Sequence, residues 1–366
     1  MIYADNAATT QLDRDAFEAM CPFLCESFGN VSQKYSFALR GKKAVNEARE
    51  KIASCIGAEP EEIFFTSGGT ESNNWVIKTM SGDVITSVIE HHAILNPCLS
   101  LQKQKRKVEY VPVSKEGEVD LDFLEKHVIG STKLVSIMYA NNEIGSIQPI
   151  KKITEIAHKG GCLCHTDAVQ AVGHVNINVH DLNVDFLSAS AHKFNGPKGI
   201  GFLYIKKGVN LEPYLEGGSQ ERGLRAGTEN VAYIVAMATA LEKNCRLINE
   251  NATYINDLES TLLDKLRDAG IQFLRNGGDN RIPGNVSLSF PNIEGEMLLH
   301  RMDLQGICIS TGAACDSVNT QVSHVIKAIR VPKEYAKGTI RISLGKNNTE
   351  DEVERVASSL ISILKS

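Results

Sequence analysis

Five short segments carry residue types that could do chemistry, and each follows a run of β-prone or apolar residues. Ser188-Ala189-Ser190-Ala191-His192-Lys193-Phe194-Asn195-Gly196-Pro197-Lys198-Gly199 places a lysine after a strand-like run, with Ser190 and His192 beside it as donors for an anion. A lysine amine there can condense with a carbonyl, and its bland alternative is a solvated surface charge. Thr66-Ser67-Gly68-Gly69-Thr70-Glu71-Ser72 joins a strand-like run to a helix start through two glycines. Free backbone N–H groups and the positive helix end suit a phosphate there, and an ordinary tight turn reads the same way. His165-Thr166-Asp167-Ala168-Val169-Gln170 offers a carboxylate able to pair with a protonated ring nitrogen, or to cap a helix. In Glu90-His91-His92 an imidazole could stack on an aromatic ring and move protons near neutrality. The two histidines have no partner ligands at metal-binding spacing, so no metal is expected. Finally, Ser310-Thr311-Gly312-Ala313-Ala314-Cys315-Asp316-Ser317-Val318-Asn319 is rich in small and polar residues. Such a loop would leave the Cys315 thiol available as a nucleophile, the alternative being a small hydrophobe packed in a turn.

Elements that could position these segments are legible between residues 44 and 206, where helical and strand-like patterns alternate. Ala44, Val45, Ala48, Ile52 and Ile56 recur at helical spacing, and Gly57 stands where a helix cap is expected. Short β-prone runs cover 63–66, 84–88, 108–113, 134–139, 162–165, 185–189 and 201–205. This order predicts an α/β fold with a mostly parallel central sheet flanked by helices. Ligands of such sheets bind beyond the carboxyl ends of the strands, where the candidate residues fall. Past residue 250 the pattern changes to helix 254–266, alternating strands 286–290 and 340–344, and a closing amphipathic helix 352–364, which predicts a smaller α+β domain.

The composition narrows the classes further. With 366 residues the chain exceeds the usual size of a single core. Its 42% hydrophobic content rules out disorder, and a net charge of −5 does not suit a protein that coats nucleic acid. Nine scattered cysteines without a CxxC pair exclude a zinc ribbon and a disulfide framework. Cys162, Cys164 and Cys308 lie in apolar or strand-like runs and read as packing residues. The first residues lack a basic and apolar leader pattern, and the longest apolar stretch, 231–241, is too short to span a bilayer. A cytoplasmic protein with reduced thiols and no membrane contact is expected.

Together these motifs, with Tyr3-Ala4-Asp5-Asn6-Ala7-Ala8-Thr9-Thr10, Ala140-Asn141-Asn142-Glu143-Ile144-Gly145, Arg222-Gly223-Leu224-Arg225-Ala226-Gly227-Thr228 and Thr339-Ile340-Arg341-Ile342-Ser343-Leu344-Gly345, resemble the cysteine desulfurases in colinear order. These are aminotransferase-like enzymes of fold type I that use pyridoxal 5′-phosphate (PLP). The resemblance implies a large PLP-binding domain over 14–250 and a small α+β domain formed by 1–13 and 251–366, the latter carrying the cysteine loop. It implies that Lys193 holds PLP, His91 stacks on its ring and acts in proton transfer, and Asp167 pairs with the ring nitrogen. Gln170 and Asn142 would lie near the phenolic oxygen, and Gly69, Thr70, Ser190 and His192 at the phosphate. Thr228 would reach the phosphate of a neighbouring subunit in a homodimer. Arg341, with Asn30 and Asn142, would bind the substrate carboxylate, a task suited to the arginine fork. The segment Gly29-Asn30-Val31-Ser32-Gln33-Lys34-Tyr35 is one residue shorter than the family pattern. Cys315 would take sulfur from L-cysteine as a persulfide, releasing L-alanine, and pass it to an acceptor protein in iron–sulfur cluster assembly or another thiolation pathway. A selenocysteine lyase, a related PLP lyase and a non-catalytic sulfur-transfer docking protein are the alternatives on the same scaffold.

Overall fold

The computed structural model describes residues 1–311 and 322–366; the Cys315 segment lies outside them. Twelve strands follow in chain order: β1 (Ile2–Tyr3), β2 (Ile63–Thr66), β3 (Asp83–Ser87), β4 (Val108–Val111), β5 (Thr132–Ser136), β6 (Leu163–Asp167), β7 (Phe186–Ser190), β8 (Gly201–Ile205), β9 (Leu274–Arg275), β10 (Asn285–Ser289), β11 (Ile307–Cys308) and β12 (Thr339–Ser343). Seven of them form the central sheet in the order β2-β8-β7-β6-β5-β3-β4. All neighbours pair in parallel except β8, which runs antiparallel between β2 and β7. The expected architecture is therefore present, and β2, β3, β5, β6 and β7 all end on one edge.

The sheet forms because its strands are apolar on both faces, as covered parallel strands require. Alternate residues feed two separate clusters. Val135, Leu187, Phe202 and Tyr204 join Ile52, Met237 and Leu241 on one side. Leu134, Phe186 and Leu203 join Trp75, Ile94 and Leu101 on the other. Helix Ser36–Ile56 buries Ala38, Val45, Ala48, Ile52 and Ile56 and ends at Gly57, whose φ of 68° is left-handed. Here the expected cap is met, since that conformation favours glycine.

A third apolar cluster takes Ile2 and Ala4 together with residues between 255 and 363. It lies under the antiparallel sheet β9-β10-β12 and the helices Ile248–Asp268 and Glu350–Lys365. The N-terminal residues connect the two layers: β1 pairs with β11, Asp5 bridges to Ser343, and Thr10 and Asp13 donate backbone N–H groups to His192 and Asn195. Val325, Ile326 and Ile329, although late in the chain, pack into the main core.

One buried ion pair fixes the stretch before Thr228. The Glu221 carboxylate receives hydrogen bonds from Arg49 at 2.6 and 2.9 Å and from the Phe65 N–H at 2.9 Å. Glu221 and Arg222 both hold left-handed backbone angles, φ 44° and 59°, which cost energy for residues with a Cβ. The pair therefore keeps a strained turn in place. Glu221→Ala leaves the Arg49 charge, only 12% exposed, without its partner. The expected loss is about 3 kcal/mol in urea denaturation, and a variant within error of the parent would show that the pair is not an anchor.

Candidate active site

Strand ends place the chemistry. Lys193 lies in the 3-10 turn Ala191–Lys193 directly after β7. Its Nζ donates to Ala7 O at 2.6 Å and Ala8 O at 2.9 Å, so the N-terminal segment folds over the amine. Gln170 Nε2 donates to the same Ala7 carbonyl at 3.0 Å, which brings Gln170 next to the lysine.

Asp167 ends β6 and is 6% exposed. Its Oδ1 accepts the Val169 N–H at 3.1 Å, and its Oδ2 accepts Asn73 Nδ2 at 2.6 Å. Burial pushes its pKa above the usual value, against the pull of His91, the two hydrogen bonds and Lys193. No helix starts at Asp167, so the capping alternative does not hold, although the carboxylate does close a local turn.

His91 caps helix His92–Lys103: its Nδ1 accepts the Ala93 N–H at 3.1 Å. That bond assigns the ring proton to Nε2. Burial lowers the His91 pKa, as do Lys193 and His92, while Asp167 opposes them. An imidazole with a donor Nε2, its neutral form favoured by burial, is therefore within electrostatic reach of a carboxylate and an amine. His165, two residues before Asp167 on β6, is different in kind. It is fully buried between Ser136 Oγ (2.8 Å) and Ser188 Oγ (3.0 Å), and burial pushes its pKa down to about 3, so it is a neutral core residue.

The glycine turn and its neighbours form a close-fitting cradle. Helix Gly69–Thr79 opens here with Gly68 at φ 144°. A Cβ on Gly69 would lie 2.4 Å from Val169, and one on Gly201 would lie 2.7 Å from the Gly68 Cα. Only glycines allow the strand ends, the helix start and the residues after Asp167 to come so close. Ser190 borders the turn, its Oγ 3.3 Å from where a Gly68 Cβ would stand, and Thr70 is exposed beside His91. The His192 Nδ1 is hydrogen-bonded to Thr9 Oγ1 at 3.1 Å, which leaves only its Nε2 for an anion, and burial lowers its pKa to about 4.

Arg341, in β12, is 3% exposed. Its Nη1 donates to Asn142 O at 2.9 Å and its Nη2 to Asp5 Oδ1 at 2.6 Å, while its buried Nε has no partner among the described residues. Asn142 is thus beside Arg341 through its backbone. Asn30 is not brought to them by any hydrogen bond: its Oδ1 accepts the Ser32 N–H at 2.9 Å and closes its own turn. Thr228 lines a separate cavity of about 200 Å³ with Thr66, Ser67 and Arg225.

Four partners went unread in the sequence. Asp5 faces Arg341 across 336 positions, too far for a local pattern, and Ala7 and Ala8 act through backbone carbonyls, so their side-chain type carried no signal. Asn73, by contrast, is a polar residue one turn beyond Gly69 on the inward face of its helix, which was a usable sign. Its Oδ1 is buried without a partner among the described residues.

The donor set fits the cofactor implied by the resemblance. A buried carboxylate needs a cation, which a protonated ring nitrogen supplies. An amine, an imidazole and a glycine turn at a helix N-terminus stand around it. Among the described residues no group of three or more His, Cys, Asp or Glu could hold a metal.

Comparison with known proteins agrees with this geometry. Residues 2–356 match the family model for class-V aminotransferases. The chain is 46% identical to a cysteine desulfurase IscS of Dictyoglomus turgidum, with 100% of this chain and 94% of the relative covered. It is 47% identical to that of Methanosarcina thermophila, with 97% and 90% covered. Among solved structures, a NifS-like protein superposes with a TM-score of 0.94 at 41% identity, covering 100% of this chain and 99% of that one. SspA in complex with cysteine gives 0.85 at 34% identity, covering 95% and 100%.

Glu90, next to His91, is fully buried. Its Oε1 accepts Ser87 Oγ at 2.6 Å and the Met138 N–H at 3.0 Å, and its Oε2 has no partner among the described residues. Burial, aided by Asp167, raises its pKa from 4.5 to about 8. Below pH 4.5 the carboxyl is protonated whether the chain is folded or not, and it imposes no penalty. Between pH 4.5 and 8 the unfolded chain releases the proton and the folded one retains it, so stability falls with rising pH and levels above 8. Glu90→Gln keeps the acceptor and removes this penalty. Denaturation at pH 8 is expected to find the variant more stable by on the order of a few kcal/mol, with the difference gone near pH 4.5. Equal differences at both pH values would rule the assignment out.

Proposed function

The chain belongs to the class-V aminotransferase family and is a PLP-dependent cysteine desulfurase, and from that premise we propose how its own residues divide the reaction. The observation that carries the proposal is the meeting of the Lys193 amine, the buried Asp167 carboxylate and the neutral His91 imidazole at the carboxyl edge of one sheet. When bound, PLP supplies an electron sink that lets bonds at an amino acid's α-carbon ionise. Lys193 is the amine that would hold it. Asp167 would face its ring nitrogen, with Asn73 steadying that carboxylate, and His91 would cover the ring. Gly69, Thr70, Ser190 and His192 would hold the phosphate, with Gln170 and Asn142 near the phenolic oxygen.

Arg341 would bind the α-carboxylate of L-cysteine, with Asn142 beside it and Asn30 closing the approach. A carboxylate arriving there meets Asp5 already on Nη2, so the arginine offers its remaining N–H groups, Nε among them. Lys193 would take the substrate's α-proton, and His91 Nε2 would donate or accept a proton nearby. Cys315 would act as a thiolate: its sulfur bonds to the substrate's sulfur, the Cβ–S bond breaks, and Cβ takes up a proton to yield L-alanine. The products are L-alanine and a Cys315 persulfide.

The persulfide would pass to an acceptor protein of iron–sulfur cluster assembly or another thiolation pathway. A homodimer is supported by Phe17, Leu24, Phe28, Phe37 and Leu39, which expose apolar surface along one segment. In it, Thr228 would complete the neighbouring subunit's phosphate site. The separate apolar cluster of Ile2, Ala4 and residues 255–363 supports a small domain built from 1–13 and 251–366 against a large one over 14–250. No helix among the described residues is long and apolar enough to cross a membrane. A reducing compartment, the cytoplasm, would keep Cys315 a thiol.

Two variants test these assignments. Cys315→Ala should retain the yellow cofactor and form no protein persulfide on addition of L-cysteine. Persulfide accumulating at the full rate would reassign the sulfur acceptor, and full alanine release without Cys315 would favour the lyase reading. Lys193→Ala should lose the visible absorbance of covalently held PLP after gel filtration.

A further inference from the structure

Two cysteines outside the reaction face one another across a helix pair. Cys55 lies one residue before the end of helix Ser36–Ile56, and Cys245 one residue before the end of helix Val231–Arg246. The Cys245 Sγ stands 3.9 Å from the Cys55 carbonyl oxygen. The two thiols also act on each other's protonation, the neighbour raising the pKa of Cys55 and lowering that of Cys245. One turn earlier, Lys51 and Glu242 join the same helices through a 2.7 Å ion pair, so the faces are in register along this stretch. Both cysteines are half-buried at the rim of the main core, where a small reagent can reach them.

We propose that Cys55 and Cys245 form a disulfide-forming modification site, oxidised by low-molecular-weight disulfides. The Cys245 sulfur attacks one sulfur of the reagent. A protein–reagent disulfide forms, the reagent's S–S bond breaks, and one half leaves as a thiol. Cys55 then gives up its proton and attacks the Cys245 sulfur, forming the Cys55–Cys245 bond and releasing the other half as a thiol. Two protein thiols are oxidised by two electrons and one small disulfide is reduced. The pairing of the thiols sets the order of attack, because Cys55 lowers the pKa of Cys245 while its own is raised.

Closing this bond would join residues 190 apart in sequence. The two helices bracket the turn before Thr228: Arg49 on the first grips Glu221, and the second begins three residues after Thr228. Oxidation would therefore tie together the frame that holds this turn. Neither cysteine belongs to the site described above, and the inference stands independently of the role proposed for Cys315.

The test treats the PLP-loaded enzyme with hydroxyethyl disulfide, blocks remaining thiols and maps peptides without reduction. Exposed Cys25 serves as an internal reporter of reagent reactivity. The expected result is a Cys55–Cys245 linked peptide that reductant removes, with a mixed disulfide on Cys25. The oxidised protein should melt a few degrees higher, and Cys55→Ser or Cys55→Ala should abolish both the cross-link and the shift. In the reduced state, both variants should turn over L-cysteine within about twofold of the parent. Modified Cys25 alongside Cys55 and Cys245 recovered as blocked thiols, or as two separate mixed disulfides, would overturn the site. A cross-link that leaves the melting temperature unmoved would overturn its role as a tie.

Discussion

Burying one carboxylate at the end of a parallel strand is the constraint around which this active site is organised. Asp167 is drawn out of water by the apolar strands on either side of β6, and a desolvated charge has to be compensated nearby. Asn73 reaches it from the helix after β2, His91 comes from the turn after β3, and Lys193 from the turn after β7. Each depends on the strands ending at one edge, which follows from their parallel order. The glycines at 68, 69 and 201 then permit the approach that brings the helix start within reach of the same point. Sheet topology and local electrostatics are thus one problem here.

The N-terminal segment solves a second problem, the joining of the two layers. It runs from the small sheet, where Asp5 meets Arg341, to the large one, where Thr10 is bonded to His192. Between them the carbonyls of Ala7 and Ala8 accept from Lys193, and Gln170 shares the first. Four residues from three places in the fold are therefore referred to one short segment. Motion of that stretch would be felt at the amine and the arginine together, so the positions of the two side chains are mechanically linked.

Much of this was legible in the sequence because it rests on local pattern. Strands 63–66 and 201–205 were bounded as observed, and the other five of the central sheet were found with small shifts at their ends. Lys193, Asp167 and His91 stood out because each follows an apolar run, and the parallel order brings such positions together. Asp5 and Arg341 were legible only as motif members, since their pairing depends on how two layers dock. The carbonyls of Ala7 and Ala8 carry no side-chain signal at all. Asn30 is a different case. Its residue type suits carboxylate binding, and in this shorter segment its Oδ1 closes its own turn.

Residue type alone does not decide which buried groups become chemical. His165 and His91 lie close to the same edge, but two serine hydroxyls and full burial make His165 a neutral spacer, while His91 keeps a donor nitrogen beside Asp167 and Lys193. Glu90 makes the same point for carboxylates. Two negative charges in one desolvated region would repel strongly, and Glu90, its pKa raised to about 8, adds no negative charge beside Asp167 at neutral pH. Ser87 and the Met138 N–H satisfy only one of its oxygens, which limits how far they can stabilise the ionised form. The field at the site is therefore set as much by the carboxyl that stays protonated as by the groups that carry charge.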